Sequence, residues 1–140
     1  MNTATADNPL KVVLDTNILV SAIIFGGYPR HILQKVVEGE VVAFTSKFLI
    51  AELSDVLIKK FSFSKEQVEA VISLLSQHLL IVAPTKSIDT LADKADNRVL
   101  EAALEARVKF IITGDKDLLE LKEFKGIRIV FPADFLKSEY

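Results

Sequence analysis

The 140-residue chain has no cysteine, only two histidines, and few breaks of the kind that proline and glycine make, with four and five of them. The missing cysteines exclude a disulfide framework, a thiolate zinc site and a thiol nucleophile together. With only His31 and His78, a histidine-rich metal centre is excluded as well. Nor is there an excess of positive charge: 17 Lys plus Arg stand against 19 Asp plus Glu, a net charge of −2. Composition therefore supplies no general basic field for duplex DNA, and any action on nucleic acid must rest on a local site. The longest strongly apolar stretch near the amino terminus, 18–25, falls far short of the roughly 20 residues that cross a bilayer. Met1 to Pro9 is polar and carries no secretory pattern, so the expectation is a cytoplasmic protein without a membrane partner.

What is present is hydrophobic content, at half of all residues, with 26% charged. A chain of this length buries about two-thirds of the surface that its unfolded form exposes, enough for one core and no second. The expected organisation is a polar segment at 1–9, one domain at 10–136 and a short tail at 137–140.

Along that domain, short apolar runs alternate with helical patterns. Leu10 to Leu14 reads as a buried strand ending at Asp15-Thr16-Asn17. A helix over Ile18 to Phe25 stops at Gly26-Gly27, and a second runs from about Pro29 to Glu38. Glu40 to Thr45 reads as a strand, followed by a helix to about Lys60 and, after the capping-box spacing Ser64 to Gln67, another helix ending near His78. Leu79 to Ala83 and Lys109 to Thr113 read as strands on either side of an amphipathic helix from Arg98 to Arg107. A helical turn at 116–121, a strand at 127–131 and a tail helix after Pro132 complete the chain. Such alternation predicts an α/β fold with a parallel sheet covered on both faces.

The strands at 10–14 and 109–113 deliver acids at their carboxyl ends: Asp15 for one, Asp115 with Asp117 for the other. Ligands bind at that edge of open α/β sheets. Asp96, at the start of the helix at 98–107, belongs to the same edge. Glu52 lies on the flank of the helix at 46–60, beside Phe48 and Val56, from where it can reach a crevice. Each acid also has a structural use, Asp15 in a turn and Asp96 or Asp115 as a helix cap. Carboxylates gathered at one edge, however, raise one another's pKa unless a cation sits among them. All-oxygen ligation points to Mg²⁺ or Mn²⁺, ions that bind phosphates and prepare water for attack on a phosphodiester.

Four blocks resemble the PIN domain, the metal-dependent ribonuclease fold of many prokaryotic VapC-type toxins: Val12-Val13-Leu14-Asp15-Thr16-Asn17, Ile50-Ala51-Glu52-Leu53, the segment from Asp96-Asn97-Arg98 to Ala103, and Thr113-Gly114-Asp115-Lys116-Asp117-Leu118. The resemblance spans about 10–135. It implies a parallel sheet of about five strands in the order 3-2-1-4-5, a homodimer, an antitoxin protein as partner, and cleavage of single-stranded RNA with Mg²⁺ or Mn²⁺. Asp15, Glu52, Asp96 and Asp115 carry over as catalytic metal-site acids, Asp117 as a further ligand, and Asn17 and Thr113 as groups that orient carboxylates. Arg98 and Lys116 are expected near flanking phosphates, with Arg30 and Lys60 farther off. Tyr28 is open to base stacking, whereas Phe25 is expected in the core. The helix at 18–25 is expected to be exposed enough to dimerise or to take a partner helix.

Two rivals remain at this level. A receiver-like signalling domain expects paired acids after strand one and a Lys after the last strand, and neither is present. A PIN-like module that binds RNA or a partner without cleavage would be expected to lack one of the acids, and all four are intact.

Overall fold

The computed structural model describes residues 9–138, so the polar segment at 1–8 and the last two residues of the tail lie outside it. The run after Pro9 forms β1 (Leu10–Leu14), whose neighbours pair with it on both sides. Leu10, Val12 and Leu14 enter one apolar layer and Val13 the other, which is why the strand shows an almost unbroken apolar run. In chain order follow α1 (Thr16–Ile24), α2 (Gly27–Val37), β2 (Val41–Ser46), α3 (Lys47–Phe61), α4 (Lys65–Ser76), β3 (Leu79–Val82), α5 (Lys94–Ala106), β4 (Phe110–Ile112), α6 (Lys116–Leu121), β5 (Glu123–Phe124), β6 (Ile127–Val130) and α7 (Pro132–Lys137). The sheet order is β3-β2-β1-β4-β6-β5, with every pair parallel except β5 and β6. The five parallel strands thus have the expected 3-2-1-4-5 order.

The sixth strand was not expected. It is only two residues long, too short for any periodic signal, and it exists because Lys125 and Gly126 both take positive φ (49° and 85°). Two successive left-handed residues make the tight turn that folds β5 back on β6.

One core layer packs α1, α2, α3, α4 and α7 on the sheet through residues such as Leu19, Ile32, Leu53, Leu57 and Phe135. The other packs α5 and α6 on the opposite face through Val99, Leu100, Ala103 and Leu118, against Val13, Ile111 and Ile129. The capping box at Ser64 and Gln67 is formed in both directions. No helix among the described residues is long and apolar enough to cross a membrane.

Three expectations are corrected. The helix over Ile18 to Phe25 is not an exposed face: Ile18, Leu19, Val20 and Ala22 of α1 are buried against the sheet, α2 and α3. Phe25, expected in the core, is 73% exposed. It sits past the last turn of α1, where its ring and that of Phe61 stand edge to face with centroids 5.9 Å apart. The helix placed at 98–107 begins four residues earlier, because Asp93 caps it by accepting from the Ala95 N–H at 2.8 Å. Asp96 therefore lies in the first turn of α5 and is not its cap.

Candidate active site

Strands β1 and β4 are neighbours, so the residues that follow them emerge side by side at the carboxyl edge. Asp15 occupies the cap position of α1, yet its side chain makes no capping bond. Its carboxylate instead accepts the Thr113 hydroxyl on Oδ2 at 2.7 Å, across 98 positions of sequence. The same hydroxyl oxygen accepts the Asp115 N–H at 2.9 Å. Thr113, fully buried at the end of β4, thereby ties two acids together.

Asp115 does cap its helix: Oδ1 accepts from the N–H groups of Asp117 and Leu118 at 2.9 and 3.1 Å. Capping and ligation are not exclusive here, since one carboxylate oxygen suffices for the cap. Oxygens of Asp96, Asp115 and Asp117 lie within 4.8 Å of one another, the spacing of a metal-binding group. They grade from buried Asp96 through Asp115 to exposed Asp117. Asp15 and the half-buried Glu52 of α3 stand outside that trio, and the charges of Glu52 and Asp115 both reach Asp15.

Burial and mutual repulsion disfavour the charged forms of two of these acids. Burial pushes the Asp96 carboxyl up to about 7, helped by the charges of Asp115, Asp93 and Asp15 and by a hydrogen bond to Asp115. Burial likewise raises Asp15 to about 6 against the lowering effect of the Thr113 bond, with the charges of Glu52 and Asp115 adding to the rise. Asp96 Oδ2 is buried with no hydrogen-bond partner. A buried carboxylate with one orphaned oxygen and two further carboxylates nearby is costly as an anion and is a good ligand for a hard ion.

The remaining expected residues fall as follows. Asn17 is exposed and makes no side-chain hydrogen bond among the described residues. Lys116 is highly exposed and reaches Glu120 only at 4.0 Å. Arg30 donates to the carbonyls of Ala22 and Ile23 at 2.8 and 3.2 Å, so it closes the end of α1. Lys60 and Tyr28 are exposed. Arg98 is half-buried, with Nη2 2.8 Å from Glu101 and 3.3 Å from the Ile88 carbonyl.

A group that the sequence reading missed holds the long loop at 83–93. Asn97 brackets Leu91 with two 2.8 Å bonds, Glu101 accepts the Ile88 N–H at 2.9 Å, and Glu105 accepts both the N–H and the hydroxyl of Thr85. These Thr85 bonds hold the Glu105 carboxyl below its usual range. Positions 97, 101 and 105 are four apart and so share one stripe of α5. That polar stripe on an otherwise apolar-sided helix was the available signal.

A parallel α/β domain with a carboxylate group at the carboxyl edge of its central strands is the class that this geometry defines. The PIN domain family model matches residues 11–117. The chain belongs to the PIN domain family. Uncharacterized protein MJ1680 of Methanocaldococcus jannaschii is 30% identical over 119 residues, covering 81% of this chain and 76% of that protein. Among solved structures, VapBC2 from Rickettsia felis bound to a DNA fragment from its promoter aligns with a TM-score of 0.63 at 16% identity, over 87% of this chain and 98% of that one. VapBC-1 from nontypeable Haemophilus influenzae gives 0.62 at 18% identity, over 89% and 99%. FitAcB from Neisseria gonorrhoeae gives 0.54 at 15%, over 87% and 98%. At such identities the structures establish the fold. Membership in the PIN family leaves no room for the receiver-like alternative.

Proposed function

We propose that the chain is a Mg²⁺- or Mn²⁺-dependent endoribonuclease that hydrolyses phosphodiester bonds of single-stranded RNA, as the toxin of a prokaryotic toxin–antitoxin pair in the cytoplasm. The observation that carries the metal-dependent chemistry is the buried, unpartnered Asp96 Oδ2 beside Asp115 and Asp117. The donor set is all oxygen, which fits Mg²⁺ or Mn²⁺ and not a thiolate or imidazole metal. Asp15, Asp96, Asp115 and Asp117 would hold the ion. When bound, it supplies a lowered pKa for water and charge neutralisation at the phosphate. Thr113 fixes the angle of Asp15 by donating to it, and Glu52 would help hold a second ion or orient the attacking water from the α3 side. Lys116 and Arg98 offer cationic groups to flanking phosphates. The VapBC and FitAcB complexes among the solved relatives support an antitoxin protein as partner, and a homodimer is the family expectation.

The test is cleavage of end-labelled single-stranded RNA in Mg²⁺, in Mn²⁺ and in EDTA, with Asp15→Asn alongside. Cleavage in either metal, none in EDTA and none by the variant is the expected pattern. Intact RNA under all conditions, or cutting that survives EDTA, would contradict it. Thr113→Val probes the positioning role: outer-shell partners of a metal site are worth about 10–100-fold in metal affinity. The half-saturating Mg²⁺ concentration should rise by about that factor while the maximal rate changes little; an unchanged Mg²⁺ titration would remove Thr113 from the site.

A further inference from the structure

A cavity of about 360 Å³ opens at the carboxyl edge of the parallel sheet, the edge that also carries the acids, lined by Lys47, Phe48, Ile81, Val82, Pro84 and Arg98 among others. Its floor lies where β2 and β3 end, at the paired residues Ser46 and Val82. The volume falls within the range of small-ligand sites, about 300–1,000 Å³. Phe48 and Ile81 expose about half of their surfaces there, 46% and 53%. These are large apolar groups left in water next to a reactive site.

Three features specify what the cavity fits. Phe48 precedes Glu52 by one helical turn on α3, so the ring and the carboxylate project from the same face about 6 Å apart along the axis. The lining residue Phe48 thus shares a face of α3 with Glu52, and Arg98 follows Asp96 by two positions on α5. Second, Arg98 uses only Nη2, for Glu101 and Ile88; Nη1 makes no hydrogen bond and has donors to spare. Third, Lys47 is exposed at the rim and Arg98 lies in the wall, so the lining combines an aromatic face with cations. Aromatic stacking plus guanidinium donors is the chemistry that reads an unpaired base, because every base has a π-face and polar edges.

We infer that this cavity is a nucleobase subsite, in which the base next to the scissile phosphate stacks on Phe48 and meets Arg98. The inference rests on the ribonuclease reading above and adds a binding determinant to it. It assigns Phe48 to substrate binding and leaves the hydrolytic step to the acids.

The experiment measures KM and kcat for single-stranded RNA cleavage in Mg²⁺ by the full chain and by Phe48→Ala, Phe48→Leu and Phe48→Trp. Thermal melts confirm that each variant is folded, as expected for a half-exposed position. Base–aromatic stacking is worth about 5- to 150-fold in affinity per base. Phe48→Ala and Phe48→Leu should both raise KM by at least ~5-fold at nearly constant kcat, and Phe48→Trp should stay within about twofold of wild type. Wild-type KM in Phe48→Ala, with wild-type cleavage positions, overturns the subsite while leaving the nuclease reading standing. A KM that Phe48→Leu preserves and Phe48→Ala does not also overturns it, since that pattern belongs to apolar packing such as a protein segment would make. If the wild-type chain cuts no RNA under any metal condition, the nuclease reading falls and the subsite with it.

Discussion

Replacing Asp96 by Asn should abolish RNA cleavage and at the same time make the metal-free protein more stable at pH 8. The two effects share one cause. Asp96 is 6% exposed, has one oxygen without a partner, and holds its proton up to about pH 7 because ionising it there means burying a charge beside Asp115, Asp93 and Asp15. Asn keeps the shape and removes the charge, so the folded state is relieved of a buried unpaired anion. Losing a metal ligand should cost more than the 10–100-fold typical of outer-shell changes, so activity should fall by at least ~100-fold. In EDTA at pH 8 the melting temperature should rise by about 3–8 °C, corresponding to roughly 1–2 kcal/mol. A variant that melts below wild type would mean that Asp96 serves the fold and not a ligand.

The second large effect is a pH dependence that metal cancels. Asp15 and Asp96 have folded-state pKa values raised to about 6 and about 7 from 3.8. Between pH 4 and 7 the folded chain therefore binds more protons than the unfolded chain, and stability falls as pH rises. The contribution of these two groups is fully present below about pH 4 and gone above about pH 7. From pH 5 to pH 8 in EDTA, the loss should be on the order of 4 kcal/mol, or about 10–15 °C in melting temperature. An ion that binds only the folded, ionised site stabilises by mass action, so millimolar Mg²⁺ should restore much of the loss at pH 8 and little at pH 5. Differential scanning calorimetry at both pH values, with and without Mg²⁺, checks this. A melting temperature that rises from pH 5 to pH 8 in EDTA, or a Mg²⁺ shift equal at both, would contradict the electrostatic account.

Residues whose role depends on their neighbours in sequence were the legible ones. Leu10 to Leu14 declared a buried strand because both of its faces are covered, and Ser64 with Gln67 declared a helix start because the cap is local. Asp15 and Asp115 were legible as acids at strand ends, and the four blocks together pointed to the family that the comparison bears out. Long-range features were not legible. The Thr113 hydroxyl bonds an acid 98 residues away, a link that only the pairing of β1 with β4 creates. The loop at 83–93 lacks periodic structure, and its order comes from Asn97, Glu101 and Glu105 on a helix that follows it. The apolar letters of α1 gave the wrong exposure because helical pattern cannot say which elements will cover a helix, and Phe25 fell one residue beyond that cover. The cavity beside Phe48 is assembled from four separate elements and the loop after β3, and leaves no trace in any one of them.

A near-neutral, slightly acidic chain can still act on RNA if its acids are concentrated where a cation converts them into a phosphate site. The most direct test of that claim is cleavage of one labelled single-stranded RNA by wild type and Asp96→Asn purified in parallel, each in Mg²⁺ and in EDTA. The account predicts product only from wild type with Mg²⁺, and a folded but inactive Asp96→Asn. Equal cleavage by both proteins in Mg²⁺ would contradict it.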